Sequence, residues 1–286
     1  MLKPLWMHLD AIASRLRAVD EVCVGCDFDG TLTDIVSHPG VAVLSRRART
    51  ALGRVSSTPR LELGVFSGRK LDDLRAMVWF PGTFLSGTAG FETLDAYGTR
   101  RLHLDPSEAL PEEIRESLRA WCERFDGAWL EDKTVALAVH YRAVAERFRP
   151  AFCSGVRRRF APLRGRARLV HGKKVFEVLP ALHRDKSTAL IEWLGAHEGA
   201  LPFYFGDDAN DEVVYPAVRA RGGIAVAVGR TASRAEYALA APGHVIWFLE
   251  WLTREWREIK GSGARVEPEP PVGNADEVRV PVSAGN

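Results

Sequence analysis

The spacing of hydrophobic positions changes along the chain, and the changes mark out its organisation. Leu5, Leu9, Ile12 and Leu16 recur at helical spacing, which predicts a helix over 5–19 that reads as a lid rather than a targeting peptide. Residues 22–26 are a short apolar run with the size and β-branching of a buried strand. Ser45 has the chemistry of an N-cap for a helix reaching about Val55. Leu61 to Phe66 predicts a second strand, Lys70 to Val78 a helix that stops before Pro81, and Thr83–Ser86 a third strand. Two β-segments flank a turn at Ala96-Tyr97-Gly98. Strands alternating with helices predict a parallel sheet with crossover helices.

The pattern changes after Asp105. Pro106 and Pro111 open a helix with early acids at Glu112 and Glu113 and an apolar side of Ile114, Leu118 and Trp121. Ala128–Glu131 and Val135–Tyr141 read as a hairpin; in its second strand, alternation puts His140 and Arg142 on one face. A helical region broken at Pro150 follows, then a hairpin of Arg168–His171 against Lys174–Leu179 turning at Gly172. Adjacent hairpins with helices between them describe a small α+β module inserted at about 105–180. The alternating pattern resumes with a helix from Asp185 or Lys186 to Leu194, strands at Phe203–Phe205 and Ile224–Val228, and a helix from Val245 to about Glu258. Residues 1–104 and 181–260 therefore form a parallel-sheet core. Residues 261–286, rich in Gly, Pro and charge, read as a disordered tail.

Bulk composition narrows this picture only a little. A chain of 286 residues, 46% hydrophobic and 27% charged, has enough material for a full core plus an insertion, and a net charge of +2 selects no partner. No apolar run approaches the ~20 residues needed to span a bilayer, and the N-terminus lacks a signal-peptide layout, so a cytoplasmic monomer without membrane contacts is expected. Cys23 and Cys26 lie inside the first strand with no second pair to complete a zinc site, and read as buried strand residues. The arginines at 46, 47 and 49 read as a solvated face. A basic run, Arg157, Arg158, Arg159, Arg164, Arg166 and Arg168, raises nucleic-acid binding as a rival, but aromatic residues near it are sparse. A solvated cap face, or a field drawing in an anionic substrate, is the better reading.

The chemistry begins where the first strand ends, at Asp27-Phe28-Asp29-Gly30-Thr31-Leu32-Thr33. Side chains two apart on an extended chain point the same way, so Asp27 and Asp29 should face one pocket. A bound hard cation, Mg2+, which takes oxygen ligands, would hold both ionised. This Asp-x-Asp-Gly-Thr pattern resembles the nucleophile motif of the haloacid-dehalogenase superfamily, and three further pieces match that superfamily's layout. They are Ser67-Gly68-Arg69 after the second strand, Lys186 at a helix start, and Gly206-Asp207-Asp208-Ala209-Asn210-Asp211 after a later strand. The resemblance implies a Rossmann-like parallel-sheet core with an inserted α+β cap. It also implies Asp27 as nucleophile, Asp29 as general acid and base, Ser67 (by its hydroxyl and backbone N–H) and Lys186 at the phosphoryl group, and Asp207 with Asp208 or Asp211 completing the metal set.

The insertion resembles the cap of trehalose-6-phosphate phosphatases. The likeness rests on Glu131-Asp132-Lys133, His140-Tyr141-Arg142 and Gly172-Lys173-Lys174-Val175-Phe176-Glu177-Val178-Leu179-Pro180, with a matching segment at Thr231–Leu239. It implies Mg2+-dependent hydrolysis of a phosphorylated sugar, with Arg69, Glu131, Lys133, His140, Arg142, Lys173 and Glu177 contacting substrate. This sequence departs from the family at Ala89, where His is usual, and at Asn210, where Thr is usual. Neither change removes a catalytic group, but both leave a related glycosyl or cyclitol phosphate open as the substrate. A phosphosugar mutase is the remaining enzymatic alternative.

Overall fold

The computed structural model describes residues 2–36, 42–105, 108–133, 135–182 and 184–261; the expected tail and Pro106 lie outside them. The chain opens with β1 (Lys3–Pro4), a 3-10 turn and α1 (Leu9–Arg17). Then come β2 (Val22–Asp27), α2 (Arg46–Ser56), β3 (Leu61–Phe66), α3 (Leu71–Val78), β4 (Phe84–Gly87), β5 (Glu92–Leu94) and β6 (Arg100–Leu102). The inserted part holds α4 (Glu112–Cys122), β7 (Trp129–Asp132), β8 (Leu137–His140), α5 (Arg149–Phe160), β9 (Ala167–Gly172) and β10 (Val175–Pro180). The chain then returns through α6 (Lys186–Gly195), β11 (Leu201–Gly206), α7 (Val214–Ala220), β12 (Ile224–Val228), β13 (Tyr237–Leu239) and α8 (Pro242–Lys260).

Nine strands form one sheet in the order β1-β13-β12-β11-β2-β3-β4-β5-β6, parallel from β1 to β4 and antiparallel through β5 and β6. β2 is central and buried throughout, as its continuous apolar run requires. Successive strands run outward from β2 on one side and from β11 on the other. The order therefore reverses between β2 and β11, where strand ends open a crevice. Alternate side chains of β2 feed different layers: Val22, Val24 and Cys26 join the cluster under α1, α2, α3 and α8, whereas Cys23 joins the one under α6 and α7. Both cysteines are buried and reduced, on opposite faces, as the strand reading required. Ser45 caps α2 by accepting from the Ala48 N–H at 3.1 Å.

A second, antiparallel sheet, β7-β8-β10-β9, carries α4 and α5 on one face over its own cluster of Leu118, Leu137, Val139, Phe152, Phe176 and Val178. The register puts the small Ala138 between Glu131 and Glu177 and sets His140 between Trp129 and Val175. A trough flanked by charged side chains results on the face away from the helices. Phe91 of the core packs with Val135, Ala136 and Leu179, joining the two sheets through an apolar contact.

Three expectations need correction. The first helix is no lid: Leu5, Ile12 and Leu16 are fully buried in the main core, α1 packs on α8, and β1 pairs with β13. Pro150 does not break a helix but stands in the first turn of α5, where its missing N–H costs nothing. The hairpin turns at Lys173-Lys174 rather than Gly172, with Gly172 still paired to Val175 and Lys174 at φ +66°. Lys173 therefore projects from a turn instead of a strand. α7 and β13 escaped the sequence reading because β13 is only three residues long and α7 is a short helix that contains Pro216.

Arg158, Arg164 and Arg166 of the basic run are exposed, as a solvated face requires, while the other three make contacts within the fold. Arg159 lies 4.0 Å over the Trp121 ring, Arg157 5.3 Å over Phe176, and Arg168 donates to the carbonyls of Pro180, Leu182 and Arg184. The Trp121 indole N–H donates to the Phe152 carbonyl at 3.1 Å, and any Cβ placed on Gly155 would overlap its ring. Gly155→Ala is expected to destabilise the inserted sheet by about 1–3 kcal/mol through overpacking, read as a lower melting temperature.

Candidate active site

The crevice between β2 and β11 gathers groups from distant parts of the chain. β2 delivers Asp27 at its last position, buried among apolar strands. β3 ends at Phe66, so Ser67 and Arg69 follow on the adjacent strand; β11 delivers Asp207 on the other side. Asp185 caps α6 by accepting from the Thr188 N–H at 3.0 Å, which fixes Lys186 at the helix start pointing inward.

Lys186 Nζ donates to Asp27 Oδ1 at 2.6 Å and to Asp211 Oδ1 at 2.8 Å. Burial opposes its charge, but Asp211 and Asp27 outweigh that and hold the ammonium pKa above its ordinary value. For Asp27, burial pushes the carboxyl upward; Lys186 pulls it down, and Asp211 and Asp207 push it up again. Asp207 is raised too, by burial first, against the pull of Lys173, whose Nζ lies 3.1 Å from Asp207 Oδ2. One buried lysine does not balance three carboxylates.

Asp27, Asp207 and Asp211 each offer an oxygen within 4.8 Å of the others. An all-oxygen set with excess negative charge fits a hard divalent cation. The three acids are not equivalent, however. Asp211 is saturated: besides Lys186, Oδ1 accepts from the Tyr204 hydroxyl at 2.8 Å, and Oδ2 accepts from the N–H groups of Asp207 and Asp208 at 3.1 and 3.0 Å. Asp208 turns its Oδ1 back to the Ala209 N–H at 2.7 Å as an N-cap. Asp27 and Asp207 therefore keep the freest oxygens for an ion, and Asp211 stiffens the loop behind them.

Glycines make the room for these carboxylates. Gly30 has φ +89°, and a Cβ there would overlap the Asp207 carboxylate; a Cβ on Gly206 would overlap Asp211. Asp29 faces the same cleft but stands apart from the three acids. Arg69, buried and lying 5.3 Å over the Phe28 ring, grips both of its oxygens at 2.6 Å. Ser67 sits in the cleft, though only its hydroxyl can meet a ligand, because its N–H donates to the Ser86 carbonyl at 2.8 Å. The expectation of a free Ser67 N–H is thus corrected: that group extends the sheet ladder.

The inserted sheet closes the other side. Lys133 and Glu177, both buried, pair at 3.0 Å, and Glu131 meets His140 at 2.9 Å. Burial works against ionised Glu131, yet His140 and Lys133 together hold its pKa below the ordinary range. His140 also stacks on Trp129 at 4.0 Å, nearly parallel. Arg142 donates to the Lys173 carbonyl at 2.9 Å. These residues line one cleft with Asp27, Asp29, Ser67, Arg69, Lys186, Asp207 and Asp208, together with the two departures, Ala89 and Asn210. Every candidate site residue read from the sequence lines this cleft or, as Asp211, supports its floor.

Tyr204 and Trp129 were missed. A tyrosine inside a buried strand needs a hydrogen-bond partner, which was the one available signal for Tyr204. The stacking of Trp129 on His140 depends on cross-strand register, which the sequence does not carry.

A sequence model of the trehalose-phosphatase family matches residues 26–242. The trehalose-phosphate phosphatase of Mycobacterium tuberculosis is 34% identical over 244 residues, covering 81% of this chain and 61% of that protein. The chain thus spans less than two thirds of the length of the curated relatives it matches. Among solved structures, the trehalose-6-phosphate phosphatase C-terminal domain of C. albicans superposes with a TM-score of 0.74 at 21% identity, covering 86% of this chain and 96% of that one. A haloacid dehalogenase-like hydrolase from Bacteroides thetaiotaomicron gives a TM-score of 0.60 at 17% identity, covering 82% of this chain and 100% of that one. These likenesses establish a haloacid-dehalogenase-like fold with a cap, and the match over residues 26–242 establishes that this chain belongs to the trehalose-phosphatase family.

Proposed function

We propose that the chain hydrolyses trehalose-6-phosphate to trehalose and phosphate, with residues 105–180 acting as a cap over the substrate. The observation that carries this reading is Lys186 Nζ bridging Asp27 and Asp211 at 2.6 and 2.8 Å, in a cleft whose far wall is charged cap side chains. Lys186 favours the ionised form of Asp27 against burial and turns it into the cleft, so that one oxygen can attack phosphorus while the sugar oxygen departs. Asp29, oriented by Arg69 and protonated when that pairing loosens on substrate binding, gives its proton to that oxygen. It then takes a proton from the water that splits the aspartyl-phosphate and releases phosphate. Mg2+, held by Asp27 and Asp207 with Asp211 behind them, would supply neutralisation of the phosphoryl charge.

The Ser67 hydroxyl and Lys186 hold phosphoryl oxygens. Lys133, Glu177, Glu131 and His140 present donors and acceptors already paired with one another, which can exchange those partners for sugar hydroxyls. Arg142 and Lys173 stand at the rim, where their charge draws the anionic substrate inward. Closing the cap excludes bulk water while the first step proceeds.

Asp27→Asn is expected to lower phosphate release by about four orders of magnitude or more with an unchanged circular dichroism spectrum; near-normal turnover would remove the nucleophile. Lys133→Ala and Glu177→Ala should reduce kcat/KM for trehalose-6-phosphate more than for a small aryl phosphate, and equal losses would contradict sugar reading by the cap. Gly30→Ala should lower both turnover and melting temperature, since left-handed strain of about 1–2 kcal/mol adds to the clash with Asp207. The substrate itself is tested by phosphate release from trehalose-6-phosphate, sucrose phosphate, glucosylglycerol phosphate and cyclitol phosphates. Trehalose-6-phosphate should give the highest kcat/KM, and faster release from another member would reassign the sugar.

A further inference from the structure

The turn between β9 and β10 reaches from the inserted sheet down to the acids of the cleft. Lys173, in that turn, places Nζ 3.1 Å from Asp207 Oδ2, with half of its own side chain still exposed. Gly172, beside it, comes close enough that a Cβ there would stand 3.8 Å from Asp208 Oδ2. Elsewhere along the cleft, a Cβ on Gly68 would stand 3.2 Å from Glu177 Oε1. The inserted sheet therefore rests on the core at Gly68, at the loop after β11 and on Phe91. Of these contacts, the one at Asp207 joins opposite charges.

The turn is held in a costly shape. Lys174 has φ +66°, a left-handed conformation that ordinarily favours glycine. Two restraints keep it there. The Tyr141 N–H donates to the Lys174 carbonyl at 3.0 Å, and the Arg142 guanidinium donates to the Lys173 carbonyl at 2.9 Å. Strain of this kind persists only where neighbours over-determine it, and it gathers at ligand clamps and switch segments. Here it accompanies the aiming of Lys173 at Asp207. The other two acids are already served: Asp27 has Lys186, and Asp211 has four donors.

We infer that Lys173 is a latch: its ammonium stands in for the charge of the divalent cation at Asp207 and holds the cap against the core until that cation is bound. The inference rests on reading Asp27 and Asp207 as the carboxylates that take Mg2+. An ammonium and a divalent ion drawn to one carboxylate repel each other, so each weakens the other's hold, by the same factor in both directions. Loading the acids therefore loosens the turn, and removing the charge of Lys173 strengthens the loading. Lys173 lines both the cleft and an adjoining chamber of about 430 Å3, so it stands where the two spaces join. Released from Asp207, the ammonium is free to meet the phosphoryl oxygens of an arriving substrate. The cation would thus bind before the phosphorylated sugar, and the cap would close a second time over a loaded site.

The test compares the full chain with Lys173→Met, which removes the charge and keeps a long, flexible side chain. Lys173 is exposed on a turn, so circular dichroism should show the same fold in both. Calorimetric titration should show Mg2+ binding the variant about tenfold more tightly than the wild type. Acetic anhydride should modify the wild-type Lys173 amine severalfold faster with saturating Mg2+ than without it, read by mass spectrometry, while the neighbouring exposed Lys174 stays constant. Small-angle scattering should show the metal-free wild type more compact than either the Mg2+-loaded wild type or metal-free Lys173→Met. Equal Mg2+ affinity in the two proteins, or Lys173 labelling indifferent to Mg2+, would overturn the latch and leave the metal site standing. A radius of gyration unmoved by both Mg2+ and the substitution would overturn its hold on the cap. Failure of both proteins to bind Mg2+ would remove the metal reading, and the latch with it.

Discussion

Lys186 Nζ lies between Asp27 and Asp211, within 2.8 Å of an oxygen of each, where all three side chains are buried. In such a place an unpaired charge costs several kcal/mol, so the groups are held in one arrangement by their need for each other. The helix cap at Asp185 fixes where Lys186 begins, and the four hydrogen bonds at Asp211 fix the loop after β11. Asp207 remains as the acid with least internal compensation: among the described residues its carboxylate pairs with the half-exposed Lys173 alone. An excess of negative charge is thereby concentrated at the point where adjacent parallel strands diverge.

Steric restrictions keep that arrangement open. Gly30 and Gly206 leave space that a single Cβ would close, so the carboxylates of Asp207 and Asp211 stand directly against backbone. The inserted sheet repeats the tactic with Ala138, whose small side chain leaves a trough between Glu131 and Glu177. Across this trough the charged groups are paired rather than isolated, so the surface can be desolvated by a ligand without stranding a lone charge.

Charged residues elsewhere do different work. Arg157, Arg159 and Arg168 form a run in sequence, yet they separate in space to cover Phe176, cover Trp121 and satisfy carbonyls at the end of β10. Stacking over aromatic faces gives Arg157 and Arg159 a structural role within the inserted part. The first helix was likewise misread for lack of context: an apolar stripe on a helix shows that something covers it, and here the cover is α8 and the sheet.

The strand ends were legible because a buried strand is a continuous apolar run and its termination by Asp, Gly and Thr is abrupt, so Asp27, Asp207, Ser67 and Lys186 could be assigned to one crevice before any coordinates. The cap residues were legible chiefly through resemblance, since alternation alone could place Glu131 and His140 on a face but not say what the face meets. Only tertiary structure could distinguish Asp211, saturated by four donors and a floor to the site, from Asp207, and show Asp29 gripped by Arg69 outside the acid cluster. The same holds for Tyr204, for Trp129 on His140, and for the meeting of Glu21, Glu62 and His197 at the rear. Local pattern dictates which way each side chain leaves its own strand, whereas register and helix placement dictate which side chains from distant segments meet, and those are properties of the packed whole.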